Sequence, residues 1–151
     1  MAFELSICIV NYNSKEYLNK CLTSIYSNPF KKSFEVIVVD NNSSDNSPAL
    51  IKEKFPYVMI LENQENNGFT KANNQGVRIS KGRYVLSLNP DTVVLPEALN
   101  TLVDFMDNHP EAGGCGPNVL NSNGTILNCS PLSRQKSGMY LVHSLRSLPW
   151  I

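Results

Sequence analysis

The chain has 151 residues, enough for one domain with a buried core, and 42% of them are apolar. Thirteen basic side chains balance thirteen acidic ones, so the formal net charge is zero. This balance is typical of a globular protein. It argues against nucleic acid as the main partner, because no excess of cations is present to neutralise phosphates.

Apolar runs alternate with helical patterns along the chain. The predicted strands cover residues 5–10, 33–40, 57–63, 83–89 and 112–120, with a sixth over 125–129. The predicted helices cover residues 13–28, a stretch ending near Phe55, residues 70–80 and residues 96–109. Strands and helices that alternate every roughly 20 to 30 residues are typical of βαβ units, which predicts an α/β protein with a mostly parallel sheet.

Short polar side chains mark the predicted helix starts, where they accept hydrogen bonds from free amides. Asn13 or Ser14 is predicted to cap the first helix, and Asp45 or Ser47 the second. The apolar face predicted for the first helix consists of Tyr17, Leu18, Cys21, Leu22 and Ile25.

The four cysteines, Cys8, Cys21, Cys115 and Cys129, match neither a zinc pattern nor a C-x-x-C redox pair. They are therefore predicted to be free thiols in a reducing cytosol. The N-terminus lacks a signal-peptide pattern, and no run approaches the roughly 20 apolar residues that span a bilayer. A cytoplasmic location is expected.

The segment from residue 131 onward has a different composition. It holds Arg134, Lys136 and Arg146 but no acidic residue, and it ends in an apolar stretch with Trp150. We predict a domain over residues 1–130 and, over residues 131–151, a helix or extended arm that leaves it. Such an arm would pack into the interior of a second half that is absent here, bind a partner, or make peripheral contact with a membrane surface.

Polar side chains follow three of the predicted strands at the point where each strand ends. They are Asn11, Tyr12 and Asn13 after the first, Asp40, Asn41 and Asn42 after the second, and Asn89, Asp91 and Thr92 after the fourth. Ligands of open α/β sheets bind beyond the carboxyl ends of the strands. The sequence therefore predicts one ligand site that Asp40 and Asp91 share.

The loop after the first strand narrows the class of ligand. Residues 10–17 contain no glycine, which excludes the G-x-G-x-x-G cradle of dinucleotide enzymes, and no P-loop motif occurs in the chain. A carboxylate at Asp40 suits a ribose hydroxyl or a base N–H. A carboxylate at Asp91 suits Mg²⁺ or Mn²⁺, which would neutralise a diphosphate and stabilise it as a leaving group.

Each of these residues also has a purely structural interpretation. Asp40 can cap an N–H group of the following turn, and Asp91 can be the third residue of a type I turn begun by Pro90. Asn67-Gly68 is a common turn dipeptide. Residue types alone leave these alternatives open.

Three stretches, LSICIVNYN, VIVVDNNSSDNS and ENNGFTKANNQGVRISKGRYVLSLNPDTVV, resemble family 2 glycosyltransferases with the GT-A fold, and most closely the bacterial rhamnosyltransferase-type subgroup. The resemblance covers roughly residues 4–130. It implies a three-layer α/β/α sandwich. It also implies inverting, metal-assisted transfer of a sugar from a nucleotide-diphosphosugar to a saccharide or lipid-linked acceptor, in the synthesis of cell-surface polysaccharide.

The resemblance also implies roles for individual residues. Asn67 to Asn73 match the segment that closes over the nucleotide, and Asp91 matches the metal ligand of the family's D-x-D motif. The residues implied in donor binding are Asn11, Tyr12, Asn13, Asp40, Asn42, Asn67, Gly68, Lys71, Asn73 and Asn89. Asn89 departs from the family, because it replaces the first acid of D-x-D and brings no charge.

A second departure concerns the general base that takes the acceptor's proton. In the family this acid lies well after D-x-D, whereas the last acidic residue here is Glu111. We therefore expect the chain to be a fragment or a truncated product. The alternative is a non-catalytic nucleotide-sugar-binding or interaction module. A nucleotidyltransferase would need a glycine- and arginine-rich first loop, which residues 10–17 do not provide.

Overall fold

The computed structural model describes residues 3–118, 120–121, 124–125 and 139–143. Its strands are β1 (Leu5–Asn11), β2 (Phe34–Asp40), β3 (Met59–Glu62), β4 (Tyr84–Leu88), β5 (Gly114–Cys115) and β6 (Met139–His143). Its helices are α1 (Lys15–Ser27), α2 (Ser47–Lys54), α3 (Gly68–Ile79) and α4 (Ala98–Asn108). The first four strands alternate with helices, which confirms the predicted α/β pattern.

The strands form one sheet in the order β3-β2-β1-β4-β6-β5. β1 lies between β2 and β4 and runs parallel to both, and β3 runs parallel to β2. The strand order reverses at β1, because the chain proceeds through β2 to β3 and then returns to the other side of β1 as β4. Such a switch point leaves a crevice beyond the carboxyl ends of the strands.

Side chains alternate along β1 between two apolar layers. Ile7 and Ile9 are fully buried in a cluster that contains the apolar side chains of α1, α2 and α4. Cys8 and Val10 belong to a second cluster, which contains Ala72 of α3. Helices therefore cover both faces of the sheet, as a sheet with two apolar faces requires, and this confirms the three-layer α/β/α sandwich.

Residues 139–143 differ from the prediction of a helix or an arm leaving the domain. They form β6, which is antiparallel to β4, with Met139 opposite Leu88 and His143 opposite Tyr84. β4 is apolar and buried, so an unpaired edge would leave its amides and carbonyls without partners away from water. Extended backbone alongside β4 supplies those partners. A domain boundary near residue 130 stays a prediction.

Three other elements differ in extent. α3 begins at Gly68, two residues before the predicted start. The predicted fifth strand is reduced to Gly114–Cys115, the only two residues that pair with β6 in the described part of the chain. The predicted sixth strand over 125–129 falls outside the described residues, except for Thr125, which lies in no strand.

The buried face of α1 is formed by Leu18, Cys21, Leu22 and Ile25, as predicted, whereas Tyr17 is 60% exposed. Tyr17 lies in the first turn of α1 and lines an open cleft instead of the core. The thiols of Cys8 and Cys21 are buried and free, and Cys115 is also unpaired, which agrees with the predicted free thiols. Cys129 lies outside the described residues. Among the described helices, none combines the length and apolarity that crossing a membrane requires.

Candidate functional site

A cleft of about 770 Å³ opens at the carboxyl edge of the sheet. Its walls come from the ends of β1, β2 and β4 and from the starts of α1 and α3. It is lined by Val10, Tyr12, Ser14, Tyr17, Asn41, Asn66, Gly68, Phe69, Asn89, Pro90 and Asp91. Four of the predicted site residues, Tyr12, Gly68, Asn89 and Asp91, therefore lie together in the cleft.

Asp40 ends β2 at the same edge, opposite Asn11, but its side chain is 2% exposed and does not line the cleft. The carboxylate accepts hydrogen bonds from Asn11 Nδ2 (2.7 Å), Ser43 Oγ (2.7 Å) and the Ser43 amide (2.8 Å). Asn11 Oδ1 in turn accepts one from Ser14 Oγ at 2.6 Å. This Asp40 network, Asn11, Ser14, Asp40 and Ser43, joins the loops that follow β1 and β2.

Asp45 connects the starts of two helices. Its Oδ2 accepts the amide of Lys15, the first residue of α1, at 2.8 Å, and its Oδ1 accepts the amide of Ser47, the first residue of α2, at 2.9 Å. The N-cap residue of α2 is Asn46, which makes no side-chain cap bond, so the acceptor lies one residue earlier. Burial alone would raise the pKa of Asp45. The bonds from Ser47 and the Lys15 amide outweigh burial and lower that pKa.

We expect Asp45→Ala to lower the free energy of unfolding by about 2 kcal/mol at pH 7, because one acceptor is lost at two helix starts. The lowered pKa means that this contribution is complete above the unfolded-state pKa of about 4 and is lost as pH falls below it. Urea denaturation between pH 7 and pH 3 measures both effects. Glu53→Ala removes an exposed carboxylate from α2 and serves as the control. Equal stability of the two variants at pH 7 would contradict the bridging role.

Asn41 holds the start of α3 against the end of β2. Its Nδ2 donates to the Gly68 carbonyl at 3.3 Å, and its Oδ1 accepts from Asn63 Nδ2 at 2.9 Å. The amides of Asn63 and Gln75 exchange two further hydrogen bonds, of 2.9 and 3.0 Å. These contacts fix the segment from which Gly68 and Phe69 line the cleft.

Residues 89–92 form a turn in which Pro90 and Asp91 are the central residues and the Thr92 amide donates to the Asn89 carbonyl at 3.2 Å. The buried thiol of Cys21, in α1, lies 3.8 Å from the same carbonyl. Burial, and secondarily the charge of Asp91, raise the pKa of Cys21 to about 12. Asp91 is thus close to α1, and its exposed side chain faces the cleft. The turn and ligand interpretations of Asp91 are compatible.

The oxygen ligands that the cleft offers limit how a metal ion could bind there. Asp91 is the one charged residue among those described that line it, and Asn89 adds an amide oxygen. Nowhere in the described ranges do three or more His, Cys, Asp or Glu side chains gather as a metal site would require. These residues do not fit a site made of protein ligands alone. They fit Mg²⁺ or Mn²⁺, which can take one or two protein oxygens and the rest from phosphate and water.

The remaining predicted residues lie around the cleft rather than in it. Asn13 bonds to Ser43 and Ser44 through its amide and side chain, and Asn42 is exposed with a φ of 64°. Asn67 is the N-cap residue of α3. Lys71 is exposed on α3 and makes no ion pair with another described residue. Asn73 accepts a hydrogen bond from Ser87 of β4 at 2.8 Å, which fixes α3 to the sheet.

Several lining residues were not predicted as site residues. They are Val10, Ser14, Tyr17, Asn41, Asn66, Phe69 and Pro90. The sequence indicates two of them as candidates for the site. Asn41 directly follows Asp40 at a strand end, and Phe69 follows the Asn67-Gly68 dipeptide. The spacing of Tyr17 instead placed it on the buried face of α1.

Known proteins similar to this chain include glycosyltransferases and a teichoic acid biosynthesis protein. The family model "Glycosyl transferase family 2" matches residues 6–140. A poly(ribitol-phosphate) beta-glucosyltransferase from Bacillus spizizenii is 34% identical over 107 residues, which are 68% of this chain and 17% of that protein. The minor teichoic acid biosynthesis protein GgaB from Bacillus subtilis is 28% identical over 71% of this chain and 12% of its own length. This chain therefore spans less than a fifth of either relative.

Solved structures share the fold. TarS 1-349 from S. aureus superposes with a TM-score of 0.74 at 22% identity, over 94% of this chain and 47% of that one. The same protein in complex with UDP-GlcNAc gives 0.67 at 26% identity, over 74% and 33%. Mannosyltransferase PcManGT from Pyrobaculum calidifontis, in complex with GDP-Man and Mn²⁺, gives 0.68 at 23% identity, over 76% and 35%. These neighbours confirm the GT-A fold. Because the family model spans residues 6–140, the chain belongs to glycosyl transferase family 2.

Proposed function

We propose that this chain forms the donor-binding part of an enzyme that moves a sugar from a nucleotide-diphosphosugar to a saccharide or lipid-linked acceptor, in cell-surface polysaccharide synthesis. The cleft carries this proposal, because it lies at the switch point of a family 2 sheet and presents one carboxylate, Asp91, beside amide groups. The two relatives named for poly(ribitol-phosphate) and teichoic acid support the acceptor class. The rhamnosyltransferase-type subgroup stays a prediction.

The nucleoside is proposed to bind at the end formed by Tyr12, Asn41 and Gly68. The Tyr12 ring is 51% exposed and offers a flat face to a base. Asp40 supports this end through its network. The predicted direct hydrogen bond from the base or ribose would use the remaining acceptor capacity of its carboxylate, since three bonds already reach it.

The diphosphate is proposed to bind between Asp91 and the start of α3. Bound Mg²⁺ or Mn²⁺ would neutralise the diphosphate and stabilise it as a leaving group. Asp91 and Asn89 would hold the cation, and Pro90 restricts the backbone that carries them. Lys71 is proposed to approach a phosphate when residues 67–73 close over the donor, with Asn13, Asn42, Asn67 and Asn73 keeping the surrounding loops in place.

Inversion by single displacement would require a general base for the acceptor hydroxyl. Glu111 is the last acid of the chain and pairs with His109 at 3.0 Å on the exposed surface, outside the cleft. We therefore propose that the base and most of the acceptor site belong to a part of the enzyme outside this domain. A cytoplasmic position, with the domain peripheral at the inner face of the membrane, would suit a lipid-linked acceptor.

Calorimetric titration tests the donor site. UDP, dTDP and GDP, and their hexose conjugates, would be titrated in Mn²⁺, in Mg²⁺ and in EDTA. We expect one nucleotide series to bind, with higher affinity in the presence of a cation. If no nucleoside diphosphate bound in any of the three conditions, the proposed function would be wrong.

A separate assay tests catalysis, because we assign the role of general base to no described residue of the cleft. A non-catalytic nucleotide-sugar-binding module is therefore the second candidate. Donor hydrolysis and transfer to mixed saccharide acceptors would be followed for the nucleotide-sugar that binds best. Turnover by this chain would support the transferase and exclude the module. Binding without turnover is expected of both candidates, because the base is proposed to lie outside this domain.

The Asn89→Asp variant tests whether residue 89 is a metal ligand position at which the missing charge weakens cation binding. A second carboxylate beside Asp91 would give the cation two charged ligands, so we expect Mn²⁺ to bind roughly threefold to tenfold more tightly in the absence of nucleotide. Electron paramagnetic resonance of free Mn²⁺ measures this affinity directly. Asn66→Asp, which adds a charge elsewhere on the cleft wall, is the matched control. The same affinity in both variants would exclude residue 89 as a ligand position.

A further inference from the structure

Tyr17 is an exposed aromatic side chain that lines the cleft. It is the third residue of α1, is 60% exposed, and its hydroxyl makes no hydrogen bond within the described part of the chain. It lies four residues before Cys21, so the two share a helix face one turn apart. Cys21 Sγ contacts the Asn89 carbonyl at 3.8 Å. Tyr17 is therefore the next side chain along α1 beside the turn that carries Asp91.

The charge of the cleft restricts what can bind beside Tyr17. Asp91 contributes one negative charge, and no described lining residue is Lys, Arg or His. A divalent cation, the two charges of a diphosphate and Lys71, once closed over a phosphate, would leave the cleft about neutral, with the positive charges already paired. A sugar with its own carboxylate would add a negative charge that no cation on the lining compensates, close to Asp91 and the diphosphate, and like charges at short range disfavour binding.

We propose that Tyr17 forms the wall of the sugar subsite and that this subsite selects an uncharged sugar. The inference rests on the proposed function. In a nucleotide-diphosphosugar the sugar is attached to the terminal phosphate, next to the cation at Asp91, and Tyr17 borders that end. The C–H groups on one face of a sugar ring pack against the electron-rich face of an aromatic ring. A carboxylate on the sugar would leave this packing in place but would add the charge repulsion described above.

The first experiment compares a nucleoside diphosphate with its hexose conjugate. The pair would be UDP and UDP-glucose, GDP and GDP-mannose, or dTDP and dTDP-glucose, whichever binds the unmodified chain best in Mn²⁺. We expect Tyr17→Ala to weaken binding of the conjugate roughly threefold to tenfold and to leave binding of the diphosphate unchanged. Tyr17→Phe keeps the ring and should retain most of the affinity. Tyr57→Ala removes a ring that is 88% exposed away from the cleft and is the control.

The second experiment compares a neutral sugar with an acidic one on the same nucleotide, such as UDP-glucose with UDP-glucuronic acid. We expect the acidic conjugate to bind at least roughly tenfold more weakly, and more weakly still at low ionic strength, because the repulsion is then less screened. Equal or tighter binding of the acidic conjugate would overturn the inference.

The outcomes separate the inference from the function on which it rests. If the unmodified chain binds no nucleoside diphosphate, both are wrong. If it binds one and Tyr17→Ala weakens the diphosphate and the conjugate equally, Tyr17 contacts the nucleotide and the sugar-wall assignment is wrong. If Tyr17→Ala changes neither affinity, Tyr17 lies outside the donor site while the proposed function still holds.

Discussion

Asp91→Asn is expected to remove most of the gain in nucleotide affinity that divalent cations provide. In the unmodified chain a cation would be shared by Asp91 and the diphosphate, so each would raise the affinity for the other. Loss of the carboxylate should weaken nucleotide binding in Mn²⁺ by roughly tenfold to a hundredfold, the usual size of such coupling. In EDTA the variant should bind the nucleotide as tightly as the unmodified chain or more tightly, because a negative charge facing the diphosphate has been removed.

Opposite changes in the two conditions distinguish a metal ligand from a residue that only supports the turn. A disrupted turn would weaken binding in Mn²⁺ and in EDTA alike. Calorimetry with the best-binding nucleoside diphosphate gives both values, and Glu53→Gln, which removes an exposed carboxylate from α2, controls for net charge. If Asp91→Asn kept the full cation dependence of the unmodified chain, the cation would bind elsewhere.

The layers of the fold could be predicted because they follow from local patterns. β1 is apolar at every position except Ser6 and its last residue, Asn11, and continues into polar residues, which is typical of a central parallel strand. α1 and α4 carry apolar residues at helical spacing. The place of β6 could not be predicted in the same way. Its pairing with β4 joins residues more than fifty positions apart, and only the open edge of β4 determines it.

The site was predictable in part, for a related reason. Asp91 was found because a carboxylate at a strand end, behind a proline, has a clear chemical meaning. The spacing of Tyr17 predicts a core position, because helical spacing does not reveal which part of a helix face borders an open cleft. The bonds of Asp40 with Asn11 and of Asp45 with Lys15 link residues about thirty positions apart, and they become visible only when β1 and β2 are paired.

Asp40→Ala is expected to lower the free energy of unfolding by about 3 kcal/mol, because it removes the acceptor of several buried or partly buried donors. The Ser43 hydroxyl and backbone amide would lose their acceptor, and the Asn11 amide, which has no access to water, would keep only its 3.1 Å bond to Ser43 Oγ. Urea denaturation gives the change directly. Ser43→Ala removes only the hydroxyl from the same network and should cost about 1 kcal/mol. An Asp40→Ala variant as stable as Ser43→Ala would show that the network contributes little.

The nucleotide affinities of two variants in the same network distinguish two roles for Asp40, which are to fix the loops and to bind the nucleotide directly. A carboxylate that accepts three bonds within the protein and is 2% exposed is better placed to fix the loops after β1 and β2 than to meet a ligand. We therefore expect Asp40→Asn and Ser43→Ala to weaken nucleotide binding to within about threefold of each other, a difference of less than 1 kcal/mol. A loss of roughly tenfold or more in Asp40→Asn, measured with an unfolding free energy equal to that of Ser43→Ala, would instead support the predicted hydrogen bond to the base or ribose.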